Sequence, residues 1–126
     1  MRALDTNVLV RLIVRDDPRQ TASAEAFVEG GAWVSLVALV ETIWVLKSTY
    51  GLPPAELIET LEGVLENDRL VLQEPAAVMA AFDEFRRQPA LGFPDCLMLE
   101  LARTAGHLPL GTFDRALGRV EGAQKL

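Results

Sequence analysis

Hydrophobic residues along the chain fall into short apolar runs separated by longer stretches with helical spacing. The short runs predict strands at 2–5, 32–34, 69–72 and 107–113, with a small edge strand at the end of the chain. The longer stretches predict helices at 6–14, 19–29, 36–50, 54–66, 75–87 and 93–106, and a short helix after 114. Because strands alternate with helices, the pattern predicts an α/β fold with a mostly parallel sheet covered on both faces.

Length and composition indicate how many domains the chain forms and in which compartment it folds. The chain has 126 residues, 50% of them hydrophobic, which favours a single folded domain over 1–126. No stretch approaches the roughly 18 apolar residues of a membrane span, and the N-terminus lacks the apolar region of a signal peptide. Cys96 is the only cysteine, so an internal disulfide is excluded and a reducing compartment is favoured. We therefore expect a cytoplasmic protein with no membrane partner.

The formal net charge of −6 narrows the possible functions. It argues against a protein that coats nucleic acid through bulk positive charge. It does not exclude a nuclease, because a cluster of metal-binding carboxylates is itself acidic and the metal offsets its charge.

Four carboxylates occupy unusual places in this pattern. Asp5 ends the first predicted strand, Asp114 ends the fourth, and Asp95 lies in the first turn of a helix. Each of these three has a simpler interpretation, as a helix cap or a partner of the helix dipole. Glu41 is the only charged residue in the apolar stretch 33–46, where desolvation of a lone carboxylate is costly unless it is paired or bound to a cation.

Considered together, these acids point to a metal site. The carboxyl ends of parallel strands meet at one edge of a sheet, and helix starts can face the same edge. Four converging carboxylates repel one another, and a divalent cation is the common way to keep them ionised. All-oxygen ligands favour Mg²⁺ or Mn²⁺ over Zn²⁺. We interpret His107 and Cys96 as structural.

Hydroxyl and amide side chains accompany the acids. Thr6, Asn7 and Thr112 are placed to orient the carboxylates or metal-bound water. The same side chains are also typical of turns and helix caps, so both interpretations stay open.

At this point four stretches, in chain order, resemble the motifs of PIN-domain ribonucleases, and are most similar to those of VapC-type toxins from toxin–antitoxin modules. They are Leu4-Asp5-Thr6-Asn7, Ser35 through Glu41, Phe93-Pro94-Asp95-Cys96-Leu97 and Thr112-Phe113-Asp114-Arg115. No single motif is specific, but four in this order cover nearly the whole chain.

The resemblance implies a three-layer α/β/α domain with a parallel sheet of four to five strands in the order 3-2-1-4-5. It implies hydrolysis of single-stranded RNA with Mg²⁺ or Mn²⁺ as cofactor, a VapB-like antitoxin as partner, and commonly a homodimer. In the family's pattern the catalytic, metal-binding acids correspond to Asp5, Glu41, Asp95 and Asp114. The polar helper positions correspond to Thr6, Asn7 and Thr112.

The chain departs from the family at three positions. Many relatives carry acids where this sequence has Gly92 and Ala116, so the outer metal shell is expected to be thinner. Pro94 replaces a small residue and is expected to stiffen the start of its helix.

The mechanism implied is attack on an RNA phosphodiester by metal-activated water, with Asp5 and Asp95 as direct ligands. Arg115, Arg11 and Arg15 are candidates for holding the RNA backbone, although a solvated surface is the simpler interpretation of these arginines.

Two other functions stay open. One is a phosphatase with Asp5 as the nucleophile, but that chemistry usually uses a second Asp where this chain has Asn7, and no lysine lies near a motif. The other is a non-catalytic domain that binds RNA or protein and uses its acids only as caps. Apolar residues of the predicted helices 36–50, such as Trp44 and Leu46, and 54–66 are candidates for core, dimer contact or antitoxin groove.

Overall fold

Six α-helices and five short β-strands follow one another in the computed structural model, which describes all residues, Met1–Leu126. The chain divides into two units, Met1–Pro75 and Ala76–Leu126. The first unit contains β1 (Arg2–Ala3), α1 (Thr6–Val14), α2 (Pro18–Val28), β2 (Ala32–Val34), α3 (Leu36–Ser48), α4 (Pro54–Glu66) and β3 (Leu70–Leu72). The second contains α5 (Pro75–Arg87), a 3-10 turn (Pro89–Leu91), α6 (Phe93–Ala105), β4 (Leu110–Thr112), a second 3-10 turn (Leu117–Arg119) and β5 (Ala123–Lys125).

Helix starts follow the capping residues in the sequence. The backbone N–H of Asn7 donates to Asp5, that of Gln20 to Asp17, and that of Ala38 to Ser35. Each of these caps satisfies an N–H group that has no partner within its own helix. The predicted bounds of α1, α4 and α5 are confirmed, whereas α3 ends at Ser48 and not at residue 50.

The strands form two sheets and not one, so the expected single sheet with the order 3-2-1-4-5 is wrong. In the first unit β2 lies between β1 and β3, and both pairings are parallel. In the second unit β4 pairs in parallel with β5 alone, which confirms the small strand at the end of the chain. The short edge strand β1 has only two residues, so few backbone groups are available to extend that sheet.

Two predicted strands are shorter than the sequence pattern indicates by more than one residue. The first was expected over 2–5 and ends at Ala3, because Asp5 already caps α1. The fourth was expected over 107–113 and covers only Leu110–Thr112. The N–H of His107 closes the end of α6 by donating to the carbonyl of Ala102, and Pro109 has no N–H for a sheet.

Each unit has its own buried side chains. In the first unit the fully buried residues include Leu9 of α1 and Leu39 and Leu46 of α3, and α1 packs against both α2 and α3. In the second unit the rings of Phe85 and Phe93 meet edge to face with their centroids 6.2 Å apart. None of the helices has the length and apolarity needed to cross a membrane.

Candidate active site

Asp5 lies between β1 and α1 and acts as the N-cap of that helix. Its Oδ1 accepts the backbone N–H of Asn7 at 2.9 Å, and its backbone is extended, as a cap requires. The side chain is exposed, and Oδ2 has no hydrogen-bond partner in the protein. The capping interpretation is therefore correct, and it leaves one carboxylate oxygen available for a cation.

Thr6 joins the start of α1 to Glu41 on α3. The Thr6 hydroxyl donates to Glu41 Oε2 at 2.9 Å. Because Thr6 directly follows Asp5, this bond holds one oxygen of the Glu41 carboxylate close to the start of α1. The packing of α1 against α3 supports this arrangement. Asp5 and Glu41 thus form the first pair of candidate ligands, and Thr6 is hydrogen-bonded to the second of them.

Glu41 itself is exposed, which corrects the expectation that its apolar surroundings desolvate it. The buried face of α3 carries Ala38, Leu39, Thr42, Ile43 and Leu46, and Glu41 falls on the opposite side. The apolar stretch 33–46 does not indicate burial throughout, because Val37 and Trp44 share the outer face with Glu41 and are 68% and 65% exposed. Leu46, another candidate for a partner surface, belongs to the core.

Asp95 and Asp114 form a second pair in the second unit. Asp95 lies half-buried in the first turn of α6. Burial, and next the negative charge of Asp114, raise the pKa of the Asp95 carboxyl above its ordinary value. A cation would relieve both effects, since it restores charge compensation to two acids that repel each other.

Asp114 is held at the turn after β4 by two local hydrogen bonds. Its Oδ1 accepts the N–H of Leu117 at 2.8 Å, so the side chain caps the second 3-10 turn. Its own N–H donates to the Thr112 hydroxyl at 3.0 Å. Thr112 therefore positions the backbone of Asp114, and Oδ2 of Asp114 has no hydrogen-bond partner in the protein.

The loop before Asp95 explains why glycine occupies position 92. Gly92 adopts φ +80° and ψ 139° between the 3-10 turn at Pro89–Leu91 and the start of α6. Side chains rarely adopt this conformation, even though no atom lies within 4 Å of where a Cβ would be. In this chain an acid at position 92 would strain the backbone that presents Asp95.

The three candidate RNA-binding arginines have different surroundings. Arg11 donates to Gln20 Oε1 at 2.6 Å and to Asp16 Oδ1 at 2.8 Å. Arg15 forms an ion pair with Glu25. Arg115 is exposed and has no ion-pair or hydrogen-bond partner in the protein, so it is the most available of the three.

Cys96 and His107 are not among the candidate metal ligands. Cys96 is 1% exposed, and burial raises the pKa of its thiol to about 12, which confirms it as a core residue. His107 is exposed and lies between α6 and β4.

The donor chemistry of the four acids fits a hard divalent cation, because all the available atoms are carboxylate oxygens. Each unit contributes two of these acids. No group of three or more Asp, Glu, His or Cys side chains in the structure is arranged to hold a metal ion. The sequence-predicted ligands therefore stay candidates, as two pairs: Asp5 with Glu41 in the first unit, and Asp95 with Asp114 in the second.

Comparison with known proteins gives one match. The family model described as PIN domain matches residues 2–123, a span that includes all four acids and most of each unit. No curated protein and no solved structure matches the chain significantly.

Proposed function

The chain belongs to the PIN domain family, and from this premise we propose that it is a Mg²⁺- or Mn²⁺-dependent endoribonuclease that hydrolyses RNA phosphodiester bonds. PIN domains are generally metal-dependent nucleases. The observation that carries the proposal is the family match over 2–123, which includes Asp5, Glu41, Asp95 and Asp114. Because that match spans both units, we also propose that residues 1–126 work as a single domain.

The four acids have the role of metal ligands in this proposal. When bound, a divalent ion would lower the pKa of its water ligand and neutralise charge that develops at the phosphate. Asp5 and Asp95 would hold this ion directly, and Glu41 and Asp114 would hold it directly or through water. Support comes from the free oxygen on each capping aspartate and from the raised pKa of Asp95.

Polar neighbours hold the acids in position. The Thr6 hydroxyl fixes Glu41, the Thr112 hydroxyl fixes the turn that carries Asp114, and Asn7 supplies the N–H that holds Asp5. Arg115 holds the RNA backbone, and its exposure without an acidic partner favours it over Arg11 and Arg15, which are both paired.

The test replaces Asp5 or Asp95 by Asn and measures cleavage of single-stranded RNA with Mg²⁺ or Mn²⁺. Residues that only support a metal ligand typically contribute 10–100-fold, so loss of a ligand is expected to reduce cleavage by about 100-fold or more. Asn remains a good N-cap, so α1 is expected to stay folded in Asp5→Asn. Asp68→Asn is the matched control, because Asp68 is exposed and has no partner.

Two results would contradict this function. Unchanged cleavage in Asp5→Asn and Asp95→Asn would leave Asp5 as a helix cap only and Asp95 as a first-turn partner of the α6 dipole only. A phosphoryl group trapped covalently on Asp5 would support the phosphatase alternative instead.

We further propose that the enzyme is the VapC-type toxin of a toxin–antitoxin pair, with a VapB-like antitoxin partner, a homodimeric state and a cytoplasmic setting. The exposed Val37 and Trp44 on the outer face of α3 support a protein partner, since large apolar side chains in one patch favour contacts. The test is to find a small reading frame immediately upstream and to co-express both products. Failure of the upstream product to bind the chain and inhibit cleavage would overturn the toxin assignment and leave the nuclease proposal standing.

A further inference from the structure

A cavity of about 350 Å³ in the first unit is lined by residues of α1 and α2. Its polar residues are Asn7, Arg11, Gln20 and Ser23, and Phe27 is the aromatic residue in its apolar lining. This volume is at the small end of the range for ligand pockets, roughly 300–1,000 Å³, and suits one planar ring system better than an extended chain.

The cavity begins beside the candidate active site. Asn7 lines it, and the backbone N–H of the same residue donates to Asp5 at 2.9 Å. Arg11, one turn further along α1, lines it as well. The cavity thus includes a residue that is hydrogen-bonded to Asp5, which places it next to the proposed position of the cleaved phosphate.

We propose that the cavity is a base-binding subsite that accepts guanine or uracil from single-stranded RNA next to the cleaved phosphate. The proposal rests on the ribonuclease function proposed above. It assigns to Gln20, Ser23 and Phe27 a role in choosing the cleavage site, which no motif in the sequence indicates.

The free hydrogen-bonding groups that Arg11 and Gln20 offer the cavity are donors, whereas Asn7 and Ser23 can both donate and accept. Arg11 has only donors, and its Nε–H donates to the Gln20 side-chain oxygen at 2.6 Å. The NH₂ group of the Gln20 amide is therefore free to donate to a ligand. Arg11 Nη1 is used by Asp16 and by the Tyr50 hydroxyl, whereas Nη2 has no partner in the protein. Donors of this kind match O6 of guanine and O4 of uracil, whereas adenine and cytosine present an amine at the corresponding ring position.

The aromatic lining and the local charge also suit RNA. The Arg2 guanidinium lies 4.1 Å from the centroid of the Phe27 ring, and Arg2 Nη2 donates to the Phe27 carbonyl at 2.8 Å. Arg2 thus places a positive charge beside Phe27, whereas the charge of Arg11 is offset by its ion pair with Asp16. Phosphates of RNA are attracted to such a position, and bases stack on aromatic rings.

The first test maps cleavage sites in a single-stranded RNA library with the wild type and with Gln20→Glu. The substituted carboxylate can still accept from Arg11 but cannot donate to a base. We expect cleavage next to guanine or uracil to fall by about tenfold relative to adenine or cytosine, which is the typical effect of one lost hydrogen bond. An unchanged base preference in Gln20→Glu would overturn the proposal.

A second pair of variants tests the space itself. Ser23 is exposed and lines the cavity, so Ser23→Leu fills it with little cost to the fold. We expect a higher KM with nearly unchanged kcat. Ala22→Leu is the matched control, because Ala22 is the exposed neighbour on α2 and does not line the cavity. Equal effects of Ser23→Leu and Ala22→Leu would contradict a base in the cavity.

A binding measurement separates this proposal from the nuclease function. Metal-free protein is titrated with GMP, UMP, AMP and CMP, and backbone amide shifts are followed by NMR. Shifts at Asn7, Gln20 and Ser23 with GMP or UMP support the subsite even if the wild type cleaves no RNA, a result that would refute only the nuclease. Absence of these shifts, or a cavity that binds only a protein partner, would overturn the subsite.

Discussion

Thr6 is the single side chain that connects the start of α1 with Glu41, through a hydrogen bond of 2.9 Å. Thr6→Val keeps the shape and removes the hydroxyl, so Glu41 loses the donor that fixes its orientation. We expect RNA cleavage to fall by about 10–100-fold, the usual effect of losing a group that supports a metal ligand. Thr6→Ser is the control and should retain most activity. Equal loss in both variants would contradict the positioning role.

Asp95 provides a test of pH dependence in the metal-free protein. Its pKa is raised in the folded state above the ordinary 3.8, so between these two values the native protein binds more protons than the unfolded chain. The stability contributed by Asp95 is therefore lost as pH rises through the folded pKa. Asn carries no charge at any pH, so Asp95→Asn does not lose this stability as pH rises. In EDTA we therefore expect the Tm of Asp95→Asn to exceed the Tm of the wild type at pH 7, and the two Tm values to approach each other near pH 4.

The measurement is the difference in Tm between Asp95→Asn and the wild type, followed from pH 4 to pH 8 with chelator present. Excess Mg²⁺ should reduce or reverse that difference, because only the wild type has the full carboxylate to bind the ion. A difference that does not change with pH would contradict the role of the Asp95 charge.

At the residue scale, sequence could predict the capping roles and not the exposure of the acids. Asp5 and Asp114 stand where a strand gives way to a turn, and a cap is local chemistry that needs no knowledge of packing. Glu41 was different, because the direction of a helix face depends on which neighbours cover it. Val37 and Trp44 are apolar and exposed, so the apolar stretch did not indicate burial.

At the element scale, α6 depends on the unusual backbone of Gly92. Gly92→Ala puts a side chain at φ +80°, and we expect the free energy of unfolding to fall by about 1–3 kcal/mol. The matched control is Gly63→Ala in the interior of α4, where no positive φ and no close atom oppose a Cβ. That substitution should stabilise by about 0.5–1 kcal/mol. Chemical denaturation measures both, and equal effects would contradict a conformational requirement at Gly92.

Helices could be predicted more closely than strands. The bounds of α1, α4 and α5 follow from helical spacing and from local start and stop residues such as Pro54 and Pro75. Strand pairing depends on partners distant in sequence, and with strands of two or three residues a few backbone bonds decide which sheet forms. The division into two sheets was therefore outside what the hydrophobic pattern could indicate.

At the scale of the whole molecule, the four candidate ligands are divided between the units, with Asp5 and Glu41 in the first and Asp95 and Asp114 in the second. If these acids bind the same ion or ion pair, Asp5→Asn and Asp95→Asn each remove most of the metal affinity, and the double variant loses little more. Saturating the wild type at about 100 times Kd should raise its free energy of unfolding by about 2.7 kcal/mol, and both single variants should lose most of that gain.

Titration with Mn²⁺, monitored by electron paramagnetic resonance, measures affinity and stoichiometry for the wild type, both single variants and the double variant. Strong coupling between the two substitutions supports a shared site. The contrary result is independence, in which Asp5→Asn loses one bound ion, Asp95→Asn loses another, and the losses add. That result would mean that each unit binds its own cation, and the two pairs of acids would then need separate functional explanations.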